Sequence, residues 1–185
     1  MQRGDRAGDE ASIAFEHRFR RQNYCLRVWR RGRSLHLRGI PWLPQAVRVL
    51  CQVVFHADIP VQVDIPRGVV FMHNGLGTVI HTRVRFAGPA IVFHNVTIGN
   101  RTTADDRVPT IGRRVFIGAG AFIIGDIEIG DDCIIGANSV VTASVPSGHR
   151  AVGSPARISR CADGVIDELF PGVPASTPGP RRAAA

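Results

Sequence analysis

Two histidines, His73 and His94, each stand two places after a large apolar residue, Phe71 and Val92. Imidazole is the natural general base near neutral pH, and a carboxylate beside it fixes its tautomer and strengthens it. Asp58, fifteen residues before His73, is the candidate carboxylate. The stretch from Asn100 to Thr110 adds Asp105, Asp106 and Arg107. An arginine fork can grip a substrate carboxylate at two points, which makes Arg107 a candidate acceptor contact with Asp106 beside it. These residue types suit the removal of a proton from a hydroxyl. They equally suit two structural histidines and a plain polar loop, so the elements that position them decide between the readings.

Those elements are set by a period of six. From Ile111 onward an aliphatic residue returns at Ile117, Ile123, Ile129, Ile135 and Val141, and upstream the same beat runs through Ile59, Ile65, Phe71, Ile80, Phe86, Val92 and Ile98. Alternation within each six, closed by a turn, gives a short strand with a corner, so successive sixes wind rather than run straight. Four residues after each start stand mostly small side chains, among them Val63, Val69, Gly75, Ala90, Thr102, Ala121, Cys133 and Ser139, as a second inward position in a narrow interior requires. Glycine often follows the aliphatic residue, as at Gly99, Gly112, Gly118, Gly130 and Gly136, where corners demand unusual backbone angles or close approach. Six-residue units that bury their apolar face only by stacking describe a β-solenoid. Three sixes per triangular coil give a little over four coils, rising about 4.8 Å each. His73 and His94 then lie on one edge, about 5 Å apart. The beat breaks twice, by three residues between Phe71 and Ile80 and by seven between Ile98 and Ile111. Both breaks are expected beside the histidine edge, because solenoids carry chemistry on inserted loops.

Length and composition fit one domain with appendages. Residues 1–57 carry eleven Arg and four acids, whereas residues 58–185 carry twelve Arg and eleven acids. The positive charge therefore sits almost wholly before the solenoid. Every basic residue is Arg. Cys25, Cys51, Cys133 and Cys161 have neither metal-ligand nor disulfide-framework spacing, so no metal and a reducing compartment are expected. Cys133 falls on an inward position and reads as core. The N-terminus has no signal-peptide pattern, and the apolar run 40–55 is short and interrupted by Arg48 and two prolines. A soluble cytoplasmic protein is expected.

Along the chain, residues 1–57 form a basic, partly helical segment and cap. Within it, 1–12 read as flexible, 13–38 as one or two amphipathic elements, and Pro44 to Phe55 as a helix whose apolar face plugs the open end of the prism. The solenoid domain spans 58–160, and the Pro-rich tail 161–185 reads as disordered. Arginines beside aromatics in the first segment read first as a solvated helix face plus cap and second as a contact for an anionic membrane surface, and no base-stacking motif accompanies them, so nucleic acid is not expected.

At these residues the chain resembles the hexapeptide-repeat acyltransferases, and within them the serine O-acetyltransferases. Asp58-Ile59-Pro60, Arg67-Gly68 and His73 resemble that family's Asp-to-His run at the same interval. Val96-Thr97-Ile98-Gly99, Asp106-Arg107-Val108-Pro109, Ile117-Gly118-Ala119-Gly120-Ala121 and Gly153-Ser154-Pro155-Ala156-Arg157 follow in family order, so the resemblance covers about residues 58–160. It implies an all-β fold, a left-handed parallel β-helix with a short helical N-terminal segment, against the usual crossover rule. It implies a homotrimer with active sites in the clefts between subunits, and acetyl-CoA as co-substrate with no metal. It also implies His73 as general base, oriented by Asp58, with the acceptor hydroxyl attacking the thioester directly. By carry-over, backbone around Ala119, Gly120 and Ala137 lines the pantetheine channel; Arg150 or Arg157 is a candidate for the CoA phosphates by charge.

The chain departs from the family pattern in three places. Val108 replaces a histidine after Asp-Arg, Met72 replaces the acid before the base, and the long N-terminal helical domain is reduced to 57 residues. The acceptor expected from Arg107 is L-serine or a related hydroxy amino acid, in cysteine biosynthesis. A surface saccharide or specialised metabolite is the second acceptor class, suited by Phe93 through Gly99 including His94. A trimeric non-catalytic scaffold with a basic surface-binding arm is the reading from a different class.

Overall fold

The computed structural model describes residues 3–102 and 106–175. Three helices come first: α1 (Arg3–Arg18), α2 (Tyr24–Leu37) and α3 (Leu43–Phe55). Proline in the first turn starts α3, and His56 in the left-handed region ends it. Helices α2 and α3 cross closely at Gly32, where any Cβ would stand 2.6 Å from Val47 Cγ1. Leu26, Trp29 and Cys51 join the same buried cluster as Ile59, Val61 and Val63 of the first coil, so this pair closes the lower end of the solenoid. The Trp29 indole N–H donates to the Pro60 carbonyl at 3.2 Å, satisfying the one polar atom it brings inside. No described helix is long and apolar enough to cross a membrane.

The solenoid follows coil by coil. The first coil carries β1 (Val69–Phe71), β2 (Val79–Ile80) and β3 (Arg85–Phe86). The second carries β4 (Ala90–Val92), β5 (Thr97–Gly99) and β6 (Thr110–Ile111). The third carries β7 (Val115–Ile117), β8 (Phe122–Ile124) and β9 (Glu128–Ile129). The fourth carries β10 (Ile134–Ile135) and β11 (Val140–Val141), and β12 (His149–Val152) with β13 (Arg157–Arg160) closes the stack. Face one stacks β1, β4, β7, β10 and β12 in parallel with β13 antiparallel on top; face two stacks β2, β5, β8 and β11; face three stacks β3, β6 and β9. Ile134 pairs with Phe116 across eighteen residues, Ala90 with Val69 across twenty-one and Val115 with Ala90 across twenty-five. The three- and seven-residue breaks are thus insertions that leave the stacking register intact.

All thirteen repeat-start side chains from Ile59 to Val141 are buried. Of the second inward positions only Thr102 is exposed, because it lies in the longer insertion rather than on a strand. The glycines after the aliphatic residues serve close approach, not unusual dihedrals: a Cβ on Gly118 would stand 2.6 Å from the Ala137 nitrogen of the next coil. Cys133 is in the core, where burial pushes its thiol up to about 12.

Two expectations about the ends are corrected. Residues 3–12 belong to α1, and the tail folds back as far as residue 175 through α4 (Val165–Leu169). The cause is the outer surface of face one, whose outward row Val70, Ile91, Phe116 and Ile134 is apolar and needs cover. Phe15 of α1 and Phe170 after α4 supply it, their rings stacked at 5.3 Å and both 1% exposed. Burying two such rings contributes roughly 2–3 kcal/mol each. Arg114, 4% exposed, fastens the returning tail, pairing with Asp132 at 2.7 Å and Asp167 at 2.5 Å and donating to the Val173 carbonyl. The remainder of the tail, 176–185, lies outside the described residues.

Candidate active site

The edge between face one and face two repeats one geometry. The residue three places after the repeat start is left-handed in each of four coils: Asn74 (φ 59°), Asn95 (φ 57°), Gly120 (φ 70°) and Asn138 (φ 53°). Asparagine and glycine are the residues that tolerate this conformation. One position earlier, the same coils present His73, His94, Ala119 and Ala137 in a column. Backbone bonds tie the column together, Gly120 N–H to the His94 carbonyl at 3.0 Å and Asn138 N–H to the Ala119 carbonyl at 2.8 Å.

The His73 and His94 rings meet edge to face, with centroids 5.0 Å apart and planes at 82°. His94 Nδ1 is buried without a hydrogen-bond partner, while His73 is exposed and itself left-handed (φ 53°). The three-residue insertion builds this turn as a short 3-10 helix, Met72–Gly75. Two asparagines hold it from below: Asn74 Oδ1 accepts the Tyr24 N–H at 2.8 Å, and Asn23 Oδ1 accepts the Phe71 N–H at 3.1 Å. Phe93 flanks the His73 ring at 5.9 Å and Phe116 at 5.3 Å, and Met72 packs with this apolar group. The acid that the motif lacks at position 72 would face apolar neighbours here.

Asp58 does not hydrogen-bond His73. Its carboxylate is gripped at two points by Arg48 of α3, Nε to Oδ1 at 3.0 Å and Nη2 to Oδ2 at 3.2 Å. Because α3 runs directly into Asp58, the guanidinium fork reaches the carboxylate from its own chain neighbourhood. Sequence reasoning missed Arg48, since nothing in its spacing marks it out from the other arginines of the first segment.

The seven-residue insertion leaves from the other end of face two, at the edge with face three, and not beside the histidines. Asp106 pairs with Arg83 one coil below at 3.0 Å, and Arg107 with Asp126 one coil above at 3.6 Å. Arg83 and Asp126 both sit on that second edge, so the whole of face two separates Arg107 from His73 within one chain. These pairs are well exposed and exchangeable, worth at most about 1 kcal/mol each. Val108 packs against the central core and anchors the loop. Asp105 lies outside the described residues.

Above the histidines the first edge carries Ala119, Gly120, Ala137 and the exposed Asn138. It ends at the turn Gly153 to Ala156, which bonds to both sides of Val140, with Val140 N–H to the Gly153 carbonyl and Ala156 N–H to the Val140 carbonyl. Arg157 opens β13 directly after it and is exposed; the Arg150 Nε donates to Ser159 Oγ. Four coil steps from His73 to this turn amount to about 19 Å. A straight, small-residue ledge with a base at one end and a cation at the other fits a long, thin ligand ending in phosphate.

The chain matches the family model for bacterial transferase hexapeptide (six repeats) over residues 109–143. It is 36% identical over 135 residues to a serine acetyltransferase of Helicobacter pylori, covering 72% of this chain and 78% of that protein. The chain belongs to the serine acetyltransferase family. Its solenoid is accordingly the family's left-handed parallel β-helix. A serine acetyltransferase of Brucella abortus strain S19, solved in complex with coenzyme A, superposes with a TM-score of 0.68 at 30% identity, over 73% of this chain and 54% of that one. The chain thus spans about half the length of that solved relative. It is also 34% identical over 140 residues to an Escherichia coli protein named as a colanic acid biosynthesis acetyltransferase, WcaB, covering 76% of this chain and 85% of that protein.

Proposed function

We propose that this chain is an acetyl-CoA-dependent O-acetyltransferase that acetylates a small hydroxyl acceptor, L-serine or a related hydroxy amino acid, with His73 as general base. The observation that carries the reading is the column on the first edge: an exposed histidine in ring contact with a second one, continued by Ala119, Gly120 and Ala137 up to Arg157. The ledge suits the pantetheine arm, since Ala119, Gly120 and Ala137 keep it low in the third and fourth coils beside the exposed Asn138. Arg157 suits the phosphates at its far end. His73 takes the proton of the acceptor hydroxyl as its oxygen attacks the thioester carbon. The C–O bond forms, the C–S bond breaks, and the proton passes on to the departing CoA thiolate. His94 backs the base through ring contact. Asp58 would orient it once Arg48 releases the carboxylate.

The acceptor contact needs a second chain. Arg107 and Asp106 stand across face two from His73, and the outer row of face two leaves Val79 43% and Phe122 40% exposed. A homotrimer whose subunits meet along this face brings the loop of one subunit to the histidines of the next, and Arg107 then exchanges Asp126 for the acceptor carboxylate. Four free cysteines and an acetyl-CoA requirement suit the cytoplasm.

One observation favours a second acceptor class. Val108, turned into the core, removes a polar group from the acceptor side of the loop, and the WcaB relative matches over 85% of its length. A saccharide hydroxyl has no carboxylate for Arg107 to hold. Release of free CoA thiol from acetyl-CoA, followed with L-serine and then with sugar acceptors, decides between them. No release with either class, by protein that binds acetyl-CoA poorly or not at all, would leave the scaffold reading standing.

A further inference from the structure

Four of the eleven arginines of residues 1–57 converge with Arg67 on one cleft. Between α1, the turn after it and α2 lies a cavity of about 310 Å³ with five guanidiniums, those of Arg20, Arg27, Arg30, Arg31 and Arg67, against the single carboxylate of Glu16. Glu16 is the neutralised floor. It is 12% exposed, pairs with Arg30, stands 3.9 Å from Arg67 and takes the Gly68 N–H at 3.4 Å. Arg20, Arg27 and Arg31 form the wall and pair with no described carboxylate. The Arg27 guanidinium lies over the Tyr24 ring at 5.6 Å, which holds it in place.

Arg27 and Arg31 are four apart on α2, and both are exposed. Like charges at this spacing destabilise an isolated helix by a few tenths of a kcal/mol. The fold therefore carries a repulsion that an anion in the cleft would relieve. Planar guanidiniums converging on a cavity match the oxygens of a phosphate group, and several of them match a ligand with more than one. Asn23 also lines the cleft and holds Phe71, two residues before His73, so an occupant rests against the support of the His73 turn.

We propose that this cleft is a binding site for a phosphate-rich anion of the diphosphate class, separate from the acetyl-transfer edge. A soluble diphosphate and the headgroup of an anionic lipid share that chemistry. The test is calorimetric titration of the full chain with inorganic pyrophosphate, alongside sedimentation with vesicles of pure phosphatidylcholine or with added cardiolipin, whose headgroup carries two phosphates. Saturable binding of pyrophosphate that weakens as salt is raised supports a soluble ligand; binding to the anionic vesicles alone supports the headgroup. In either case the double variant Arg27→Gln/Arg31→Gln should bind at least ten- to a hundred-fold more weakly. It should also melt at the same or a higher temperature than the parent without ligand, and lose the rise that ligand gives the parent. The control Arg85→Gln/Arg160→Gln removes the same net charge from exposed sites outside the cleft and should bind normally. Absence of binding in both arms overturns the proposal, as does equal weakening by the control, which would mean diffuse attraction to net charge. Neither readout depends on acetyl transfer, so the test stands apart from the proposed activity.

Discussion

The two edges that border face two are built for opposite purposes. On the histidine edge every coil repeats the same left-handed turn, and backbone bonds run from coil to coil through Asn95, Gly120 and Asn138. On the loop edge exposed ion pairs at Asp106 and Arg107 tie the seven-residue insertion to the coils below and above. The first edge is fixed and holds the candidate base; the second is exchangeable and holds the candidate acceptor contact. Neither edge is a complete site, and the fixed one precedes the exchangeable one by a whole face. In the proposed reading the rigid edge activates and the loose edge recognises, a division of labour that assembly would join.

The strongest way to break this comparison is at the fixed edge. His73→Ala should lower kcat by roughly 100- to 10,000-fold while the thermal melt stays put, measured as thiol release from acetyl-CoA. Full activity in that variant would remove the base from the mechanism. The cover of face one comes next. Phe170→Ala should destabilise the fold by about 3–5 kcal/mol in denaturant titration, because it empties the stack against Phe15. A negligible change would mean that the returning tail does not hold.

At the exchangeable edge, Arg107→Ala should raise the acceptor KM about tenfold and leave the acetyl-CoA KM alone, as loss of one charged contact predicts. An unchanged acceptor KM favours a saccharide. The sharper version mixes subunits: co-refolded His73→Ala and Arg107→Ala chains should regain the parent's low acceptor KM in about a quarter of their sites, since each interface can pair an intact histidine with an intact arginine. No recovery would mean that both residues serve the same site within one chain. The smallest effect is expected at Arg48. Its pair with Asp58 is about one-third exposed on both sides, so Arg48→Met should cost at most about 1 kcal/mol of stability. With the carboxylate freed toward His73, kcat should hold or rise; a loss as large as that of His73→Ala would make Arg48 part of the catalytic machinery.

The inward half of the fold was open to reading in the sequence because burial in a thin prism admits few side chains, and the thirteen starts from Ile59 to Val141 obey that limit. The His73 to His94 contact followed from the same register, expected at about 5 Å and found at 5.0 Å. What escaped was set by outward positions. Val70, Ile91, Phe116 and Ile134 form an apolar row that returns once per coil, each one place before a repeat start on face one, and attention to it would have predicted that α1 and the tail fold onto face one. The second break was assigned to the wrong edge because counting residues locates an insertion along the chain, whereas the edge it leaves from depends on which strand it follows. Arg48 and Asp58 met through the path of α3, which no periodicity encodes.

The straightness of the histidine edge makes it a gauge. Its coils advance by about 4.8 Å whatever side chains they carry. In the proposed reading, the separation between His73 as base and Arg157 at the phosphates is therefore set by the number of coils between them, not by any pocket wall. Removing one eighteen-residue coil between His94 and Gly153 would leave each of those corners intact and still shorten the reach by that step. In that reading a donor of the original length would then overshoot, and selectivity for it would be written in the tally of windings.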